Sequence, residues 1–226
     1  MENSDGNSKA SHASKLVLYS YHQSSCSWRI RFALHLKRIP FEYRSVNLPK
    51  GEQFTSEFLR LNPIGYVPVL LDGDVVISDS LAIILYLEER YPVRNLLPSD
   101  PRERALNLQI SSIVCSSIQP LHMNSLLTIV SKKFGSELSW ANHYIEKGFT
   151  ALERLLKSTA GRFVTGETLY MGDVFLAPQI AIAASRFNVD MLKFPTLMRL
   201  SETYQSLPEY VASSPGQQPD TQMFKE

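Results

Sequence analysis

Hydrophobic and polar positions change their spacing along this chain, and the change divides it in two. In the first ninety or so residues short β-like runs alternate with helical stretches. "KLVLYS" (15–20) leads into a helical pattern over Ser25–Lys37, in which Cys26, Ile30, Ala33 and Leu34 form one apolar stripe and Trp28, Phe32 and Leu36 another. Stripes that cover so much of the circumference predict a largely buried helix. "FEYRSVNL" (41–48) has partial alternation, with Phe41 and Tyr43 on one face, and predicts a strand. Strand, helix and strand within about 35 residues make a βαβ unit, whose strands run parallel. A short helix over about 54–61 comes next, then "VPVLL", Asp72-Gly73 and "DVVIS". Asp-Gly between two apolar runs predicts a hairpin. "SLAIILYLEERY" (80–91) predicts a further helix that ends before Pro92.

The order β-α-β-α-β-β-α predicts a thioredoxin-like α/β domain with a mixed four-stranded sheet, over 15–91. "PVRNLLPSDP" (92–101), with three prolines, reads as a linker. Beyond it the spacing is helical, over 102–131, 137–158, 173–187 and 195–206, which predicts an all-α second domain over 102–213 and a tail over 214–226. A cleft is expected where the two domains meet.

Composition narrows the class. The 226 residues have a net charge of +1 and are 44% hydrophobic and 20% charged, as in an ordinary globular protein. So even a balance suggests neither a nucleic-acid nor a membrane-surface partner. No apolar run approaches the ~18 residues of a membrane helix. The two cysteines, Cys26 and Cys115, are far apart and lack metal-ligand spacing, so no metal site is expected; they fit a reducing, cytoplasmic setting. Residues 1–14, Ser-rich with no apolar core and no Arg, read as a disordered arm rather than a targeting segment.

The chemistry gathers at "SSC" (24–26), where three small nucleophilic side chains open a helix. Serine there is a favoured helix cap. The same position also suits a thiolate, because a helix N-terminus stabilises negative charge. A dithiol site of the thioredoxin type would need a second Cys three residues after Cys26, and that residue is Arg29. What is left is a helix end suited to another molecule's thiolate. Lowering a thiol pKa by ~2 units takes ~2.7 kcal/mol. One hydroxyl hydrogen bond to an anion (~1.5–3 kcal/mol) and a helix end (up to ~2 kcal/mol) supply that.

"SSCSWRIRFAL" (24–34) resembles the signature of zeta-class glutathione transferases, the class that includes maleylacetoacetate isomerases. "LNPIGYVPVL" (61–70), "DSLAIILYLEE" (79–89), "LLPSDPRERA" (96–105), "SSIQPL" (116–121), "GFTALERLL" (148–156) and "FLAPQI" (175–180) follow in the order and spacing of that class. The resemblance implies glutathione as cofactor and Ser24 as the thiolate anchor, with Ser25 and Cys26 lining the same pocket. It implies a cis Val67-Pro68 bond that leaves the Val67 backbone free for the cysteinyl unit of glutathione. Ser80 would receive the γ-glutamyl carboxylate, Asp79 would face the ammonium group, Gln53 the glycyl end, and Gln119 would face the cleft. From sequence alone Ser80 also reads as a helix cap.

"GETLYMGDVFLAP" (166–178) resembles the capping-box helix of the second domain, with Tyr170 at the cap where Ser or Thr is usual. The reciprocal bond is therefore not expected in its usual form, and Asp173 is assigned a folding role.

Three departures fall around the expected cleft: His22-Gln23 in place of an aromatic residue and Arg, His122-Met123 after "IQPL", and Ala181 where plant-like members tend to have His. Gln23, His122 and Arg186 are the candidate substrate contacts, Arg186 as a carboxylate clamp. The resemblance implies isomerisation of a small α,β-unsaturated acid such as maleylacetoacetate, in tyrosine and phenylalanine catabolism. It also implies dehalogenation of α-haloacids such as dichloroacetate, and a homodimer. Two alternatives stay open: a Cys26-based thioltransferase, and a non-catalytic glutathione-fold protein that carries apolar ligands.

Overall fold

A computed structural model describes residues 16–223; the predicted N-terminal arm lies outside the described residues. The first half folds as β1 (Leu16–Ser20), α1 (Ser25–Lys37), β2 (Phe41–Ser45), α2 (Ser56–Leu61), β3 (Val69–Asp72), β4 (Val75–Ser78) and α3 (Ser80–Arg90). The sheet order is β2-β1-β3-β4, with β1 and β2 parallel and the other pairs antiparallel. This is the mixed four-stranded sheet the sequence predicts. Leu16, Leu18 and Ser20 of β1 face the main core, and Tyr19 turns to the opposite face, where its ring meets Phe58 of α2 edge-on at 6.0 Å. Helices thus cover both faces. The hairpin turns one residue later than predicted, because β3 keeps Asp72; Gly73, at φ 64°, opens the two-residue loop. Asp72 then accepts hydrogen bonds from the Tyr86 and Tyr91 hydroxyls, both at 2.8 Å, which ties the sheet to α3.

The second half contains α4 (Pro101–Ser112), α5 (Asn124–Phe134), α6 (Glu137–Leu156), α7 (Met171–Phe187), α8 (Pro195–Gln205), α9 (Pro208–Ser213) and α10 (Asp220–Met223). The continuous helix predicted over 102–131 is broken. A π turn over Ile113–Ile118 and a 3-10 turn over Gln119–His122 follow α4, and α5 restarts at an angle of 44°. Pro120 lacks the N–H that an α-helix would need there. Ile118 presses into α6 at Gly148, where a Cβ would come within 2.3 Å of the Ile118 Cγ1.

One apolar core runs through both halves. Trp28 of α1 stacks on Tyr210 of α9 at 4.9 Å and donates to the Ser213 Oγ at 2.9 Å. The segment between α3 and α4 is pinned rather than loose. Lys37 pairs with Glu88 at 2.6 Å and donates to the Tyr91 carbonyl, while Glu88 accepts the Leu96 and Leu97 amides. At the start of α7 Asp173 supplies its half of the capping box, accepting the Tyr170 amide at 3.0 Å. Among the described residues no single helix is long and apolar enough to cross a membrane.

Candidate active site

A cleft of about 740 Å³ lies between the loop ends of the sheet and the broken helix of the second half. One wall holds Gln23, Ser24, Ser25 and Cys26 from the start of α1, with Gln53, Val67, Pro68, Asp79 and Ser80. The other holds Gln119, His122 and Arg186. Every side chain singled out from the sequence for binding or chemistry borders this one space.

Ser24 resolves the choice between cap and anion site by allowing both. Its Oγ accepts the Ser27 amide at 3.2 Å, so it caps α1. A hydroxyl has one proton to donate besides its acceptor lone pairs. The cap uses an acceptor position and leaves the O–H free for an anion in the cleft, where the α1 dipole already favours negative charge. Ser25 is buried and Cys26 half-buried beside it. The Val67-Pro68 bond is cis, as predicted.

At α3 the capping residue is Asp79 and not Ser80, which corrects the sequence-based alternative. The Asp79 Oδ1 accepts the Leu81 and Ala82 amides at 2.8 and 3.3 Å, with the backbone held at φ 74°. A non-glycine residue at positive φ is uncommon and costs of order 1–3 kcal/mol, and such positions cluster at functional sites. Capping by Asp79 leaves Ser80 out of the cap; it borders the cleft, and its oxygen accepts from Arg29 at 3.0 Å. The Gln53 Oε1 is shielded from solvent and has no hydrogen-bond partner, so this acceptor is available to a ligand N–H.

On the second wall Gln119 sits on the 3-10 turn instead of a regular helix. His122 is buried against Gln179 (3.2 Å) and the Phe187 ring (5.0 Å). Burial lowers its pKa to about 4, so it is neutral at physiological pH. Arg186 lies over the Phe187 ring and donates to the Asn124 Oδ1 at 2.6 Å. Burial lowers its pKa somewhat, and the Tyr21 phenol opposes that shift.

The model for "Glutathione S-transferase, N-terminal domain" matches residues 23–90. The chain is 54% identical over 209 residues to "Glutathione S-transferase zeta class" of Euphorbia esula, covering 92% of this chain and 93% of that one. It is 46% identical over 211 residues to rat "Maleylacetoacetate isomerase", covering 92% and 96%. The chain belongs to the zeta-class glutathione transferases. A solved maleylacetoacetate isomerase from Anaeromyxobacter dehalogenans 2CP-1 with glutathione bound in its active site superposes at a TM-score of 0.85, with 37% identity, covering 92% of this chain and 99% of that one. A bacterial zeta-class maleyl pyruvate isomerase gives 0.87 at 36% identity, covering 91% and 99%.

Two features of this transferase were not found from sequence. Arg29, read only as the residue that rules out a dithiol, borders the cleft fully buried. An arginine within a helix apolar on both stripes was the available signal. The predicted tail is part of the fold. Asp220 is fully buried and accepts the His22 amide at 3.0 Å and the Tyr43 hydroxyl at 2.8 Å. Arg31, which burial lowers to about 10 and which therefore stays charged, donates to the Ser213, Tyr21 and His22 carbonyls. The last turns of the chain thus hold the loop that carries Ser24. These contacts span 182 and 198 residues of sequence, beyond any local pattern.

Proposed function

We propose that this glutathione transferase is a cis–trans isomerase of small α,β-unsaturated acids of the maleylacetoacetate type. The free Ser24 O–H at the α1 N-terminus carries the proposal, since it can stabilise a thiolate without giving up the cap. The cleft fits glutathione on its own polar atoms: the Gln53 Oε1 has no partner, and the Ser80 hydroxyl, whose oxygen accepts from Arg29, still has a proton to donate.

When bound, glutathione supplies a thiolate that adds reversibly to the conjugated double bond, so that rotation becomes possible. Ser24 donates to the sulfur and holds it charged. Asp79 keeps α3 capped, so that Ser80 can meet a carboxylate. Arg186, within the same cleft, anchors a substrate carboxylate. Ile182 and Met123 line the space between. His122, neutral and engaged with Gln179, adds no charge to this wall. The only Arg proposed for substrate is therefore Arg186, and Gln23 stands at the exposed rim. That supports an acid with one strongly held carboxylate.

The same thiolate would displace halide from a small α-haloacid, so weak dehalogenation is proposed as a companion activity. A homodimer is proposed as well, supported by the exposed apolar residues Val75 and Val76 on the edge strand β4 and Ile129 and Phe134 on α5. The two free cysteines support a cytosolic setting. Maleylacetone or maleylacetoacetate with sub-stoichiometric glutathione tests the proposal. Loss of the enone absorbance over many turnovers per glutathione is expected. Consumption of one glutathione per product, or a stable Cys26–glutathione disulfide as the main species, would instead favour the transferase or Cys26 thioltransferase readings.

A further inference from the structure

The Arg29 guanidinium is only 1% exposed and has no ion pair among the described residues. Its Nη1 donates to the Ser80 Oγ at 3.0 Å and approaches the Cys115 Sγ at 3.4 Å. Its Nε and Nη2 have no hydrogen-bond partner, and the guanidinium lies over the Phe175 ring at 4.9 Å. Cys115 cannot neutralise it. Burial pushes that thiol up to about 11 even against the pull of Arg29, so at pH 7 it carries a proton. Asp79, the cap of α3, makes no ion pair with it and instead accepts the Leu81 and Ala82 amides. A buried cation without a counter-ion is unfavourable to the fold. The Phe175 ring and the Ser80 oxygen offset part of this, and an anion entering the cleft would offset the rest.

The contact with Ser80 indicates what that is. The Ser80 oxygen accepts from Arg29, so its single proton is directed elsewhere, and Ser80 also borders the cleft. An anion that accepts this proton completes a chain from guanidinium to hydroxyl to anion, in which each bond strengthens the next. We propose that Arg29 is the positioning residue of the carboxylate subsite: it orients the Ser80 hydroxyl toward the γ-glutamyl carboxylate of bound glutathione and supplies the positive charge that the carboxylate meets. The proposal rests on the glutathione-binding reading above and adds a residue to it. Arg29 touches Ser80 rather than the reacting atoms, so its effect belongs to binding and not to the thiolate.

The test is equilibrium binding by calorimetry of two ligands, glutathione and its analogue with 4-aminobutyryl in place of γ-glutamyl, which lacks only that carboxylate. Wild type should prefer glutathione by about ten- to a hundredfold, the range for a charge-assisted hydrogen bond. Arg29→Met should reduce the preference to within about threefold, chiefly by weakening glutathione. Its unfolding midpoint should be unchanged or higher, because an unpaired buried charge is gone. In a Ser80→Ala background, where the hydroxyl relay is gone and only the charge remains, Arg29→Met should change the preference less than it does in wild type.

Equal weakening of both ligands by Arg29→Met would make Arg29 a structural residue and overturn the proposal. Arg29→Gln serves if the Met variant does not fold. Failure of both to fold also overturns the proposal, since a charge that the fold itself requires is not one awaiting a ligand. Wild type binding both ligands equally defeats the proposal and leaves glutathione binding intact. Wild type binding neither defeats the glutathione reading.

Discussion

The starts of α1 and α7 use the same device and reach opposite ends. At each, a polar side chain accepts a backbone amide near the helix N-terminus. At α7 the device is closed. Asp173 is fully buried, and its two oxygens take the Tyr170 and Val164 amides and the Tyr204 hydroxyl, the last at 2.7 Å. Burial holds its pKa at about 6, and the hydrogen bonds keep it from rising further. At α1 the device is open. Ser24 is half-buried, takes one amide, and keeps a proton to donate beside a cleft. A helix N-terminus becomes a chemical site where hydrogen-bonding capacity is left over in a space that a ligand can enter. Where all of it is used, the same motif is part of the core.

The largest expected effect tests the closed end. Asp173→Ala leaves three buried donors unpaired, at about 1–3 kcal/mol each, and should lower stability by several kcal/mol or prevent folding. Chemical denaturation measures this. Asp173 also fixes a pH dependence. Its carboxyl is raised from 3.8 unfolded to about 6 folded, so its contribution is complete below 3.8 and is lost as pH rises through 6. Asp173→Asn should remove that slope between about pH 4 and pH 7. An unchanged slope would show that another group sets it.

Asp220→Ala tests an intermediate case, a buried carboxylate with both oxygens engaged that supports the open site from behind. It should cost about 2–4 kcal/mol of stability by freeing the His22 amide and the Tyr43 hydroxyl. Unlike Asp173→Asn, it should also weaken glutathione binding, because the Ser24 loop loses its support. Gln23→Arg sharpens the description of the open site. At this exposed rim position a new charge should raise kcat/KM for a dianionic substrate about threefold to fivefold, worth under 1 kcal/mol. Kinetics with a neutral electrophile should barely change, and equal gains would refute the carboxylate account. Cys26→Ala should have the smallest effect, within about threefold on isomerisation, because the nucleophile belongs to glutathione. An inactive Cys26→Ala enzyme would turn the open end into a cysteine site.

The glutathione wall was legible in the sequence because it is built from local devices. A helix start, an X-Pro bond, an Asp-Ser pair and a hairpin each depend on neighbouring residues and make up the blocks that resemble the family, and that resemblance named Ser24, Pro68, Asp79 and Ser80. Even there, which of Asp79 and Ser80 caps α3 depended on a positive φ that the pattern does not display. The second wall was less legible. Apolar spacing predicts one helix through Cys115 and Gln119, but Pro120 and the packing of Ile118 against Gly148 impose a π turn and a bend. The supports of the Ser24 loop, Asp220 and Ser213, are hidden for a different reason. They act through contacts nearly a whole chain apart, and Asp220 lies in a segment whose composition reads as a tail.

In the proposed enzyme the Ser24 proton, left over from capping, holds glutathione as a thiolate. Titrating the ultraviolet absorbance of the bound thiolate in wild type, Ser24→Ala and Ser25→Ala measures this directly. Wild type should titrate well below the ~8.5 of a free thiol, and Ser24→Ala should raise that value by about 1–2 units, with a rate loss of roughly 10–100-fold. Ser25→Ala should shift it much less. A bound thiol that titrates identically in wild type and Ser24→Ala would contradict the account and leave Ser24 as a helix cap alone.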